Sequence, residues 1–183
     1  MIYPALTRSK GELQQILQLQ RENLINHIDE TEMQSQGFLT LRHDLETLQQ
    51  MHELAPTVII KDDHKVVAYA LTMLRECRRL IPDLEPMFAL FEELSWKNKP
   101  LNSYQFYVMG QVCIAKAYRG RGLFEQLYEQ HKKIYSPRFN LFITEISARN
   151  GRSLRAHEKA GFKPVHIHRD KLDEWHVVAW DWH

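Results

Sequence analysis

Two short stretches hold residues whose types and spacing suit chemistry on an anionic ligand. The first, Arg119-Gly120-Arg121-Gly122-Leu123-Phe124, ends a Val- and Ile-bearing segment and opens an amphipathic one. Glycines free the backbone to bring amides close to a ligand, and a helix starting there would add the positive partial charge of its N-terminus. Arg119 and Arg121 add forked donors suited to a diphosphate. The plain alternative is a tight strand-to-helix connection. The dinucleotide fingerprint G-x-G-x-x-G and the triphosphate loop G-x-x-x-x-G-K-[ST] are both absent from the sequence, which argues against nicotinamide, flavin and triphosphate chemistry.

The second stretch runs from Asn150 to Phe162. Asn150, Ser153 and His157 are spaced i, i+3, i+7, so they fall on one helix face and could line a common groove. Taken singly, they also read as an N-cap, a small packing residue and a half-buried histidine. Glu145 is the only carboxylate in 130–157, which makes it a candidate general base acting directly or through water. Its alternative is an ion pair with Arg149 or Arg152. Tyr107 and Gln111 are further groups that could position a water.

Around these stretches the pattern predicts the elements that position them. Residues 2–6 suit a strand, and Ser9-Lys10-Gly11-Glu12 has the spacing of a capping box opening a helix. A second helix is expected over 44–54. Segments 57–61 and 65–73 flank the polar turn Asp62-Asp63-His64 and predict a hairpin. Residues 75–82 read as irregular, and Asp83 could cap a helix over 84–97, with Pro86 in its first turn. Segment 103–115 is the most strand-like, Gly110 marking a bulge or a close backbone approach. A helix with one apolar stripe begins at Leu123, a strand spans 140–147, and a helix spans 150–160 and ends at Gly161. Strands 162–169 and 174–182, joined by a turn near Lys171-Leu172-Asp173, close the chain. This order predicts an α/β arrangement, a mixed sheet with helices on both faces.

The two stretches resemble motifs of the GCN5-related N-acetyltransferase (GNAT) family. Its phosphate loop reads Q/R-x-x-G-x-G/A, and Arg119 and Gly122 match the first and fourth positions. Phe124 stands at the sixth, where a small residue is usual, so its amide is available only if the ring points away from the ligand. Residues 150–162 resemble the family's later helix, N-x-x-A/S-x-x-x-Y/H-x-K-x-G-F, and the blocks come in the family's order. The resemblance implies one domain over 1–183, with a mostly antiparallel sheet of six to seven strands splayed between 103–115 and 140–147. It implies acetyl-coenzyme A in that splay and no metal. Backbone around Val112, Cys113 and Ile114 would pair with the pantetheine arm. The loop Arg119, Gly120, Arg121, Gly122, Leu123 and Phe124 would hold the diphosphate, with Asn150, Ser153 and His157 completing the cleft. An acceptor amine, on a small molecule or a protein, would attack the thioester directly. His157 stands where the family commonly places a tyrosine that protonates the leaving thiolate, so it could donate that proton or only a hydrogen bond. Segment 104–115 has no Asp or Glu, so the family's frequent strand carboxylate has no counterpart. That departure motivates an alternative: a non-catalytic acyl-coenzyme A sensor or partner-recruiting module of the same fold.

Composition sets the outer limits. With 183 residues, 44% hydrophobic and 26% charged, the chain fits one globular domain and excludes disordered, collagen-like and coiled-coil classes. The net charge of +1 conceals a window, 116–163, with eleven Lys or Arg against four Glu. Such a window suits one localised anion, or duplex nucleic acid, or simply a solvated face. Two cysteines form no CxxC, and Arg8 and Lys10 interrupt any apolar leader, so a cytoplasmic location without a membrane span is expected. Ten histidines raise a metal reading, but HExxH and Cys/His finger spacings are absent. His166, His168 and His176 are instead read as structural or acceptor-site residues. Cys113 could carry an acyl group or pack as a small hydrophobe. Trp175, Trp180 and Trp182 suit sheet packing or a homodimer edge. Arg75, Arg78 and Arg79 lie in a long connection that could bind a carboxylate or phosphate of the acceptor. The acceptor pocket itself is expected from 30–43 and 75–102.

Overall fold

The computed structural model describes residues 1–31, 33, 37–171 and 173–183. Strand β1 (Ile2–Leu6) leads into helix α1 (Lys10–Asn23). The Ser9 hydroxyl accepts from Glu12 N, and the Glu12 carboxylate reaches back to Ser9 N at 3.2 Å, closing the expected capping box. Helix α2 (Leu45–Leu54) starts at Asp44, whose carboxylate accepts from Thr47 N at 2.7 Å. Such caps each contribute about 1 kcal/mol. Then come strands β2 (Val58–Asp62) and β3 (Lys65–Met73), helix α3 (Glu85–Glu93), and a small hairpin of β4 (Ser95–Trp96) with β5 (Lys99–Pro100). Strand β6 (Phe106–Ile114), helix α4 (Leu123–Tyr135), strand β7 (Leu141–Ser147), helix α5 (Gly151–Ala160) and strands β8 (Lys163–Arg169) and β9 (Glu174–Asp181) complete the chain.

The helix expected over 84–97 ends at Glu93 instead. Leu94 turns extended, and Lys97 and Asn98 take φ of 46° and 62°, the left-handed pair that closes a two-residue hairpin. Asp83 does not cap it; the residue before the helix is Leu84, with no side-chain cap. The irregular stretch contains a 3₁₀ turn, Arg75–Arg79. The turn near Lys171-Leu172-Asp173 includes Leu172, outside the described residues; beside it, Asp170 N and Asp173 O bond at 3.0 Å.

The sheet has seven strands in the order β1-β2-β3-β6-β7-β9-β8, antiparallel except for the pair β6–β7. Helices cover both faces, as the order of elements predicts. One face packs on Leu13 and Ile16 of α1, Met51 of α2 and Phe88 of α3. The other packs on Leu123, Leu127 and Tyr128 of α4 and Phe162 beyond α5.

The parallel ladder is short. It runs from Phe106↔Leu141 to Val108↔Ile143, after which β6 continues to Ile114 against β3. A bulge explains the parting: β3 advances from Ala70 to Thr72 while β6 advances from Val112 to Met109, placing an extra residue at Gly110-Gln111. A bulge bends its strand, here away from β7. The buried Gln111 side chain fixes the bend. Its Oε1 accepts from Tyr69 OH at 2.6 Å and Gln20 Nε2 at 2.8 Å, and its Nε2 donates to Leu41 O at 2.8 Å.

Candidate active site

A cleft of 530 Å³ opens where β6 leaves β7. It passes through the sheet. Glu145 and Ser147 alternate with Thr144 and Ile146 along β7 and lie in the row of Ile143, which packs on the α1–α3 face. Leu123 and Phe124, at the other end of the cleft, pack on the α4–α5 face.

At that end the glycines do what their type allows. Gly120 and Gly122 hold φ of 74° and 73°, which L side chains rarely adopt, and a Cβ on either would meet nothing within 4 Å. Gly122 is the N-cap of α4 and supplies no side-chain cap, so the first-turn amides face the open space beside the loop. Phe124 turns back: its ring stacks on Tyr128 at 4.5 Å and meets His157 edge-on at 5.1 Å. Arg119 folds along the wall, its Nε donating to Ile114 O at 3.2 Å and its Nη2 to Asn23 of α1. Arg121 is exposed and not on the cleft wall, its guanidinium 5.2 Å over the Tyr118 ring.

Val112, Cys113 and Ile114 line the β6 wall. Burial pushes the Cys113 thiol up to about 12, so it stays protonated and packs as a small apolar group. Both cysteines are free thiols.

On α5, Asn150 is the N-cap, its Oδ1 accepting from Ser153 N at 3.2 Å. Asn150 and Ser153 line the cleft together with Arg152, Ala156 and Lys159. His157 does not, and its expected place on the groove is corrected. At 1% exposure, its Nε2 receives Tyr128 OH at 2.6 Å and its Nδ1 faces Ser153 O at 2.8 Å. Burial lowers its pKa to about 4, keeping it neutral. The reason is angular. Each helical residue turns about 100°, and His157, one position past Ala156, rotates off the cleft into the aromatic layer of Phe124, Tyr128 and Phe162.

Glu145 lines the cleft on the opposite bank, and its Oε1 hydrogen-bonds His168 Nε2. Burial raises its pKa and the bond to His168 opposes that rise. The expected pairing of Glu145 with Arg149 or Arg152 is not what forms: Arg149 Nε bonds Asp173 at 2.8 Å, and Asp173 also accepts from Ser147 Oγ. Tyr107 is fully buried on His131 Nδ1 at 3.0 Å, away from the cleft, whereas Gln111 lies on its wall. Arg78 bridges Glu85 and Glu92, and Arg75 lies 4.8 Å over the Phe106 ring, so neither points at the cleft.

One component was legible in the sequence only as an irregular segment. Residues 37–41 cross the cleft as a strap. It is tied to the end of α1 by Leu39 N to Asn23 O at 3.0 Å and Ile25 N to Leu39 O at 2.9 Å. It is tied to β6 through Gln111 and to the far bank by Asn150 Nδ2 donating to Phe38 O at 3.2 Å. Gly37, φ 78°, passes so close that a Cβ would stand 2.7 Å from Asn150 Oδ1. No local pattern announces these contacts. The segment 30–43 expected to shape the acceptor pocket contributes this strap, while positions 32 and 34–36 lie outside the described residues.

Comparison with known proteins gives the family and the fold. The sequence matches the acetyltransferase (GNAT) family over residues 13–162. The chain belongs to that family and is an acetyl-coenzyme A-dependent N-acetyltransferase. Among curated proteins no sequence match is found. Solved structures share the fold: the ribosomal-protein-S18-alanine N-acetyltransferase from Escherichia coli has TM-score 0.66 at 12% identity, over 99% of this chain and 94% of that one. The NatC complex bound to Gag peptide and CoA gives 0.66 at 12%, over 100% and 99%. The yncA protein from Salmonella typhimurium, with its cofactor acetyl-CoA, gives 0.62 at 12%, over 100% and 94%. Among the described residues no group of three or more His, Cys, Asp or Glu is arranged to hold a metal, and no helix is long and apolar enough to cross a membrane.

Proposed function

We propose that this enzyme moves an acetyl group from acetyl-coenzyme A to a primary amine by direct attack on the thioester. The observation that carries the reading is the cleft's two ends. Amides of an uncapped helix start and two left-handed glycines lie at one, a desolvated carboxylate at the other. Amides and the helix start suit a diphosphate. Past Val108 the β7-facing edge of β6 forms no ladder, and between Met109 and Ile114 it suits the amide-bearing pantetheine arm, which would add like a strand.

Glu145 takes one proton from the incoming ammonium, and the freed amine attacks the carbonyl carbon. The C–N bond forms, the C–S bond breaks, and the second nitrogen proton goes to the leaving sulfur. Cys113, protonated, takes no acyl group. We reassign His157 from thiolate acid to a buried support that holds Ser153 and Tyr128. Ser153 Oγ, on the cleft wall, is then the α5 hydroxyl available to the sulfur. Two free thiols and the absence of a long apolar helix among the described residues support a reducing, cytoplasmic setting.

The acceptor is a small molecule or a protein amine. The test is a panel of amines, peptides with free N-termini included, assayed for acetyl-coenzyme A-dependent thiol release. Amine-dependent release supports the reading. Tight donor binding without release for any amine would favour the non-catalytic sensor, which the missing carboxylate in β6 still motivates.

A further inference from the structure

The Glu145–His168 contact joins a cleft residue to the outermost strand, and nothing in the reaction as described requires it. His168 lies on β8, opposite Trp175 of β9, which in turn faces Ser147 of β7. Glu145 reaches across β9 to it, so three strands must be in register for the bond to form. The Glu145 side chain is 12% exposed and that of His168 25%. The carboxylate is therefore nearly withdrawn from water, while its partner stands at the rim. A carboxylate so placed needs a donor to stay ionised and to keep one oxygen aimed.

We infer that His168 is the positioning residue for the reaction: its Nε2 holds Oε1 of Glu145, leaving Oε2 for the ammonium proton. This rests on the acetyl-transfer reading given above. The other charged or titratable groups around the pair come from three elements. His166 stacks on His168 at 6.2 Å from its own strand, Asp170 lies beyond the end of β8, and Asp173 with Arg149 occupies the ends of β9 and β7. Asp173 is engaged by Ser147 and Arg149, which leaves His168 as the hydrogen-bond donor given to Glu145.

Three variants separate positioning from packing. His168→Ala removes both ring and donor, His168→Phe keeps a ring without a donor, and His168→Gln keeps a donor without a ring. With acetyl-coenzyme A and the best acceptor amine, Ala and Phe are expected to lower kcat about tenfold or more, a part of the 10²–10⁴ a positioned base contributes. Gln should recover most of it, and acetyl-coenzyme A affinity should stay unchanged in all three. Full kcat in the Phe variant would overturn the proposal by showing that the ring acts as a filler. A second readout does not need turnover. The ¹³C carboxyl signal of Glu145, titrated in the wild type and in His168→Phe, should move to a higher midpoint in the variant, because the ring keeps the carboxylate covered and the donor is gone. An unchanged midpoint overturns the proposal even in an active enzyme. A raised midpoint in a protein that acetylates no amine would uphold the pairing while refuting the acetyl-transfer reading.

Discussion

Asn150 Nδ2 donates to the Phe38 carbonyl at 3.2 Å while Oδ1 of the same side chain accepts from Ser153 N, so one amide both caps α5 and latches the strap across the cleft. The two functions separate by substitution. Asn150→Asp keeps the capping oxygen and adds a negative charge at a helix start, so its melting temperature should stay close to wild type. It loses the strap donor, and acetyl-coenzyme A affinity measured by calorimetry should fall several-fold. Asn150→Ala should lose about 1 kcal/mol of stability in addition.

Gly122 sits at φ 73° with open space where a Cβ would stand. Gly122→Ala should therefore cost about 1–2 kcal/mol of backbone strain without a clash. Gly122→Glu should cost a similar amount of stability but abolish donor binding, because its carboxylate faces the diphosphate. Calorimetry beside a thermal melt checks this; donor affinity equal to wild type in the Glu variant would remove the phosphate site from this loop.

Phe124, at one end of the cleft, packs its ring on Tyr128 and His157. Phe124→Ala should lower stability by about 2 kcal/mol, at or below the low end for truncated aromatics because the ring is only partly buried. Donor affinity should change less than threefold. A large affinity change at constant stability would show that the ring lies against the donor.

Glu145→Gln should lower kcat by about 10²-fold, the lower range for a general base, and leave donor affinity intact. Because burial raises the Glu145 pKa, the acid limb of the wild-type kcat/KM profile should lie above the usual carboxylate range. The Gln variant should lose that limb.

Three buried histidines predict acid sensitivity. Burial lowers His43 to about 4, His131 to about 3 and His157 to about 4, all below the usual value for histidine. A folded-state pKa below the unfolded one means the unfolded chain binds protons first as pH falls. Stability is thus fully present above about pH 6.5 and declines toward pH 4. With three such groups the slope between pH 4 and 6 should approach about 4 kcal/mol per pH unit. Urea denaturation across that range checks it, and His131→Phe should flatten the slope by about one proton.

Much of this was legible locally. Ser9 with Glu12, and Asn150, announced their helices because a cap is settled within four residues, and the order of strands and helices announced a mixed sheet covered on both faces. Gly110 announced the bulge that opens the cleft. What could not be read depends on register or on rotation. Glu145 meets His168 only because three strands align. His157 shares a helical face with Ser153 yet turns off the groove within the next residue step. The strap belongs to the site through Asn150, more than a hundred positions away.

The end of the β6–β7 ladder at Val108↔Ile143 also acts as a stop. A further rung, Met109 against Thr144, would move the floor of the cleft by about one residue's rise, 3.3 Å; the Thr144 hydroxyl instead takes the Met109 carbonyl at 3.0 Å and ends the ladder there. On the acetyl-transfer reading proposed above, the acyl group points at this floor, so tolerance for propionyl or longer donors should respond to Thr144→Val more than to trimming the side chains that line the walls.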